Sequence, residues 1–75
     1  MPHVVVKALA GRTEEQKTRL AEAITREVMA VLECGSDAVS VGFEDIAPNR
    51  WKDDVYLPDI QGRADTIYKQ PGYQV

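Results

Sequence analysis

With 75 residues, nine basic and twelve acidic side chains and a net charge of -3, the chain is sized for one domain, residues 1–75, and offers no extended basic face to nucleic acid. A lone cysteine, Cys34, and a lone histidine, His3, exclude a disulfide framework and argue against a zinc site. No apolar run approaches the roughly 18 residues of a membrane span and the N-terminus lacks a signal-peptide core, so a cytoplasmic protein with no membrane partner is expected.

Residues 3–9 are rich in valine and alternate His3, Val5 and Lys7 against Val4, Val6 and Ala8, the period of a strand with two unequally polar faces. Pro2 at its head is tolerated there. Thr13 offers an N-cap oxygen, Gln16 stands in the capping-box position, and Glu14 and Glu15 meet the positive end of the helix dipole, so a helix begins at about residue 14. Its apolar stripe is Leu20, Ile24, Val28 and Val31, with Lys17, Arg19, Glu22, Arg26 and Glu27 mainly on the wet side. Cys34-Gly35-Ser36-Asp37 supplies the stop, with Gly35 free to take positive φ. Val39, Val41 and Phe43 then alternate with Ser40, Gly42 and Glu44 as a second strand. Strand, helix, strand is the minimal βαβ unit, an α/β arrangement that predicts parallel strands and a right-handed crossover helix.

After Pro48 the pattern changes. Residues 49–56 read as a loop running into a short helical turn that Pro58 breaks, and Ile60, Ala64, Ile67 and Tyr68 recur at the spacing of a short C-terminal helix ending near Lys69. Pro71-Gly72 terminates it. One helix on two short strands is too little to be stable alone, and its open edges invite pairing. With no disulfide or metal to supplement the core, a second subunit that completes the sheet is the expected remedy.

Chemistry points to the N-terminus. An initiator methionine is normally trimmed when proline follows, which would leave Pro2 with a free secondary amine. Ordinary α-amines titrate at about 7.7–8.0, so a modest downward push makes such a group a general base near neutrality. A nearby guanidinium and an apolar pocket both push in that direction. Arg12 is the available guanidinium; it can also grip a carboxylate bidentately and stabilise an enolate oxygen, or it can be a solvated loop residue.

Pro2, the valine-rich strand, Gly11-Arg12-Thr13-x-Glu15-Gln16-Lys17, the long amphipathic helix, Val39-Ser40-Val41 and Trp51 together resemble the 4-oxalocrotonate tautomerase family. Ile46-x-Pro48-x-x-Trp51 and the ending Lys69-Gln70-Pro71-Gly72-Tyr73 are most similar to its longer, dimeric branch, the PptA-type tautomerases. The resemblance implies a βαβ protomer assembled into a homodimer rather than a hexamer, with the freed Pro2 as catalytic acid/base. It also implies that Arg12 binds a substrate carboxylate or carbonyl, that Trp51 walls the pocket and adds an N–H donor, and that no cofactor or metal is required. The family's second arginine falls on Ser40, which supplies no charge; Arg50, beside Trp51, is the residue able to compensate.

The implied reaction is a 1,3-proton shift in an enol or 2-keto acid, with phenylpyruvate-like monoacids favoured because Ser40 replaces a cation. Two alternatives stand beside it: a non-catalytic module of the same fold that binds small acids, and a related enzyme that uses the Pro2 amine as nucleophile or hydratase base. Other residues take subsidiary readings. His3 either relays protons beside Pro2 or is an exposed strand residue, Cys34 packs, and Asp53-Asp54 forms a pocket rim or a solvated loop. Tyr56, Tyr68 and Tyr73 line the pocket or a subunit contact.

Overall fold

The computed structural model describes all of residues 1–75. Strand β1 spans His3–Leu9 and strand β2 spans Ser40–Ile46; they pair in parallel with His3 beside Ser40 and Leu9 beside Ile46. Between them runs helix α1, Glu14–Leu32, so the βαβ unit is as the alternating pattern predicts. The pairing is extended at both ends by the Ser40 amide donating to the Pro2 carbonyl (3.2 Å) and the Ala10 amide to the Ile46 carbonyl (2.9 Å). A free N–H is not needed from Pro2 at that position, which is why proline can open the sheet.

Local signals set the helix start. Thr13 Oγ1 accepts from the Gln16 amide at 3.1 Å while Gln16 Oε1 accepts from the Thr13 amide at 2.9 Å, the reciprocal pair of a capping box. At the other end the left-handed residue is Glu33 (φ 55, ψ 57), not Gly35, whose φ is -84. The helix stops two residues earlier than a glycine cap would place it, and the Cys34 amide closes the turn on the Met29 carbonyl at 3.3 Å. Gly11, with φ 121, is the glycine that needs its freedom, in the turn from β1 into α1.

Helix α1 lies over the face that carries Val4, Val6 and Ala8 with Val41 and Phe43: Lys17 sits 5.3 Å above the Phe43 ring and pairs with Asp45 at 2.7 Å. Only part of the predicted stripe is covered. Ile24 and Val28 are half-buried, but Leu20 and Val31 are 41% and 71% exposed, because two strands about 5 Å apart are narrower than the surface a 19-residue helix presents. The only two buried residues, Val55 and Tyr56, lie in the C-terminal segment.

That segment also departs from expectation. Helix is found at Lys52–Gln61, wound as a π-helix straight through Pro58, and the predicted stretch to Lys69 is reduced to a single 3₁₀ turn at Ala64–Thr66. In an α-helix the proline ring collides with the carbonyl four residues back; the wider five-residue winding relieves that conflict. Gly62 ends the π-helix with its amide on the Leu57 carbonyl at 2.7 Å, an approach so close that a Cβ there would lie 2.7 Å from the same oxygen. The π-helix covers the opposite face of the sheet, where Asp59 meets Lys7 at 2.5 Å. This bond, assisted by the charge of Asp59 and Glu44, raises the Lys7 pKa against the opposing effect of desolvation. No helix is long and apolar enough to cross a membrane.

Candidate active site

The turn at Gly11 delivers Arg12 to the C-terminal end of β1, immediately before the capping box. The 3₁₀ turn Pro48–Arg50 delivers Trp51 to the same end, at the start of the π-helix. Between them is a cavity of about 500 Å³ lined by Lys7, Ala8, Leu9, Arg12, Pro48, Trp51, Tyr73 and Val75. Arg12 forms no ion pair, so its guanidinium stays available to a ligand, whereas the Lys7 ammonium is engaged by Asp59. The Trp51 indole N–H, expected to be a donor to ligand, instead donates to Tyr73 Oη at 3.0 Å. Tyr73 in turn packs against buried Tyr56, ring centroids 5.9 Å apart and planes tilted by 40°. The last residues of the chain therefore fold back to finish the pocket.

The remaining residues that the sequence suggests for the site lie elsewhere. Pro2 is half-buried at the N-terminal end of β1, so the length of the strand, roughly 20 Å at about 3.3 Å per residue, lies between it and the end that leads to Arg12. Beside it, Ser40 Oγ and His3 Nδ1 share a hydrogen bond of 2.6 Å, so the position of the missing cation belongs to the Pro2 end of the sheet. Arg50 does not reach the pocket of its own protomer. Its guanidinium grips Asp54 through Nη2 at 2.6 Å and Nε at 3.2 Å, which raises the Arg50 pKa and holds the Asp54 carboxyl below the usual carboxylate range. Asp54 is thus an ion-pair partner rather than a free loop carboxylate. No three His, Cys, Asp or Glu side chains gather closely enough to hold a metal.

One protomer therefore brings together Arg12 and Trp51, and separates both from Pro2 and Ser40. Tyr73 is the pocket residue whose placement sequence left open: it joins Trp51 across 22 positions, a separation no local period encodes.

A sequence model of the family described as tautomerase enzyme matches residues 2–53, which include Pro2, Arg12, Ser40 and Trp51. The chain belongs to the tautomerase family. Among its relatives, a probable tautomerase of Xylella fastidiosa is 41% identical over 73 residues, covering 97% of this chain and 89% of the relative. Tautomerase PptA of Pectobacterium carotovorum is 40% identical over 74 residues, covering 97% of each chain. Of solved structures, TomN, a 4-oxalocrotonate tautomerase homologue of the tomaymycin biosynthetic pathway, superposes with a TM-score of 0.65 at 34% identity, covering 67% of this chain and 77% of its own. This tautomerase-family chain is accordingly an isomerase of the 4-oxalocrotonate tautomerase kind, PptA-like. Residues 54–75, with Tyr56 and Tyr73, lie beyond the family match but are largely spanned by the alignment to the PptA relative.

Proposed function

We propose that the chain is a cofactor-independent keto-enol tautomerase that moves a proton 1,3 in enol and 2-keto acids, with Pro2 as general acid/base once Met1 is removed. The pocket carries this reading: one guanidinium without an acidic partner, Arg12, opens onto apolar walls from Ala8, Leu9, Pro48 and Trp51. Such a lining suits one carboxylate with a hydrophobic or aromatic tail, so phenylpyruvate-like monoacids are favoured over dicarboxylates. The neutral Ser40 and the engagement of Arg50 by Asp54 support the same preference.

Because Pro2 and Arg12 stand at opposite ends of β1, the proposed site joins Pro2 of one protomer to the Arg12 pocket of its partner. A homodimer is the smallest assembly that does so. Exposed Val5, Leu9, Leu20 and Val31, together with two open strand edges, supply the apolar surface and hydrogen-bonding groups for association.

In that site the partner's guanidinium and the apolar walls disfavour the protonated amine and lower the Pro2 pKa. The neutral Pro2 nitrogen takes the enol hydroxyl proton, the electron pair shifts so that oxygen becomes carbonyl, and the prolinium returns a proton to carbon. Base and proton balance over the cycle. Arg12 holds the carboxylate and stabilises charge developing on the enolate oxygen.

Intact mass reports whether Met1 is lost. Processed protein is expected to accelerate ketonisation of an aryl enol-pyruvate, and Pro2→Ala, which keeps a primary amine, to lose at least about a hundredfold in kcat/KM. Equal rates reject Pro2 as the base, and affinity for an unreactive acid without turnover would instead establish a binding module.

A further inference from the structure

We infer that Tyr73 determines substrate specificity: its hydroxyl is the second donor, beside Arg12, that recognises the substrate carboxylate, a neutral group taking the place of a second cation. The inference rests on reading the Arg12 pocket as the substrate site and goes beyond it, since residue 73 lies outside the matched family segment.

An indole N–H can only donate, so at 3.0 Å the Tyr73 oxygen is the acceptor in its bond to Trp51. A phenol retains one proton to give. Tyr73 makes no other hydrogen bond in the protomer, and its side chain lines the cavity that Arg12 opens onto. Accepting from the indole also polarises the O–H and makes it a better donor. The ring is held in place by buried Tyr56 on one side and the Trp51 bond on the other, so little ordering is left for the ligand to impose.

Competing cations are committed. Lys7 is engaged by Asp59 and Arg50 by Asp54, while Ser40 sits at the far end of the sheet on His3. One guanidinium and one phenol carry a single positive charge, matched to one carboxylate; a second carboxylate would enter without a counter-charge and bear its desolvation cost. The Tyr73 ring is also the wall shared with a second cavity of about 640 Å³ lined by Gln61, Gln70 and Gln74, so only the hydroxyl should be altered to test its role.

Tyr73→Phe removes that oxygen and keeps the partition. Kinetics with an aryl enol-pyruvate are expected to show KM raised about tenfold with kcat within about twofold, and binding of 3-phenylpropanoate, an unreactive monocarboxylate, to weaken by a similar factor. Tyr68→Phe, at a ring that is fully exposed and, against the sequence expectation, lines no part of the Arg12 cavity, should leave both unchanged. A purely structural Tyr73 would shift the melting temperature without moving KM; unchanged KM and probe affinity in Tyr73→Phe overturn the inference. Probe binding involves no proton transfer, so an active Pro2→Ala sinks the base assignment alone, whereas Arg12→Ala that keeps full probe affinity sinks the pocket reading. Should Tyr73→Phe fail to fold, parent protein carrying 3-fluorotyrosine, assigned through Tyr56→Phe and Tyr68→Phe, is expected to show its Tyr73 resonance move on adding 3-phenylpropanoate. A stationary resonance overturns the inference equally.

Discussion

The two ends of the parallel sheet are chemically unlike. At the N-terminal end, Pro2 adjoins His3, whose Nδ1 shares a hydrogen bond of 2.6 Å with Ser40 Oγ; at the C-terminal end, Arg12 faces Trp51 and Tyr73 across an apolar cavity. The first end holds the proposed base without a guanidinium. The second holds a cation without a base. Seven-residue strands keep the two apart, so the proposed site draws its base and its guanidinium from different protomers.

The sharpest way to break this division is to split it between chains. Pro2→Ala and Arg12→Ala are each expected to be nearly inactive, yet refolding an equal mixture should restore about a quarter of the parental sites, because half of randomly formed dimers are mixed and each contains one intact site. No recovery, with mixed dimers demonstrated by mass, would put base and guanidinium in one protomer. A smaller effect follows from Gly62→Ala, whose Cβ would press on the Leu57 carbonyl. It should cost about 1–3 kcal/mol in denaturant unfolding and loosen the Trp51 end while sparing the His3–Ser40 end. Arg50→Ala should have the least effect, leaving kcat/KM within about twofold because Arg50 serves Asp54 rather than the pocket. Its small stability loss carries a pH signature. Asp54 has a lowered pKa when folded, so the pair stabilises above the ordinary carboxyl value of 3.8 and its contribution is lost as pH falls through the folded value. Melting temperatures of parent and variant should differ near neutrality and converge in acid; a gap that persists there removes the ion pair as its source.

How much of this was legible from sequence depended on range. The capping box at Thr13 and Gln16 was readable because its atoms belong to one turn, and the period-two runs around Val5 and Val41 identified both strands. Sequence puts the helix stop at Gly35 because glycine is the usual left-handed residue, whereas the chain turns at Glu33. Pro58 is a breaker only under α-helical geometry, and π winding changes that premise. Leu20 and Val31 have the right spacing for burial, but a two-stranded sheet is too narrow to cover them. For the site, Arg12 and Trp51 were found as residue types in a resembling order. Their meeting in one cavity, and the distance of Pro2 from it, depend on which ends of parallel strands coincide. Tyr73 carried no local signal, since its partners Trp51 and Tyr56 lie far along the chain.

Trp51 is the chain's only tryptophan, and its indole N–H is spent on a phenol that borders the same cavity. Its fluorescence therefore comes from one location and responds to whatever disturbs that bond. Occupancy of the proposed pocket is thus expected to register in the protein's own emission, free of background from any other indole and without an attached dye.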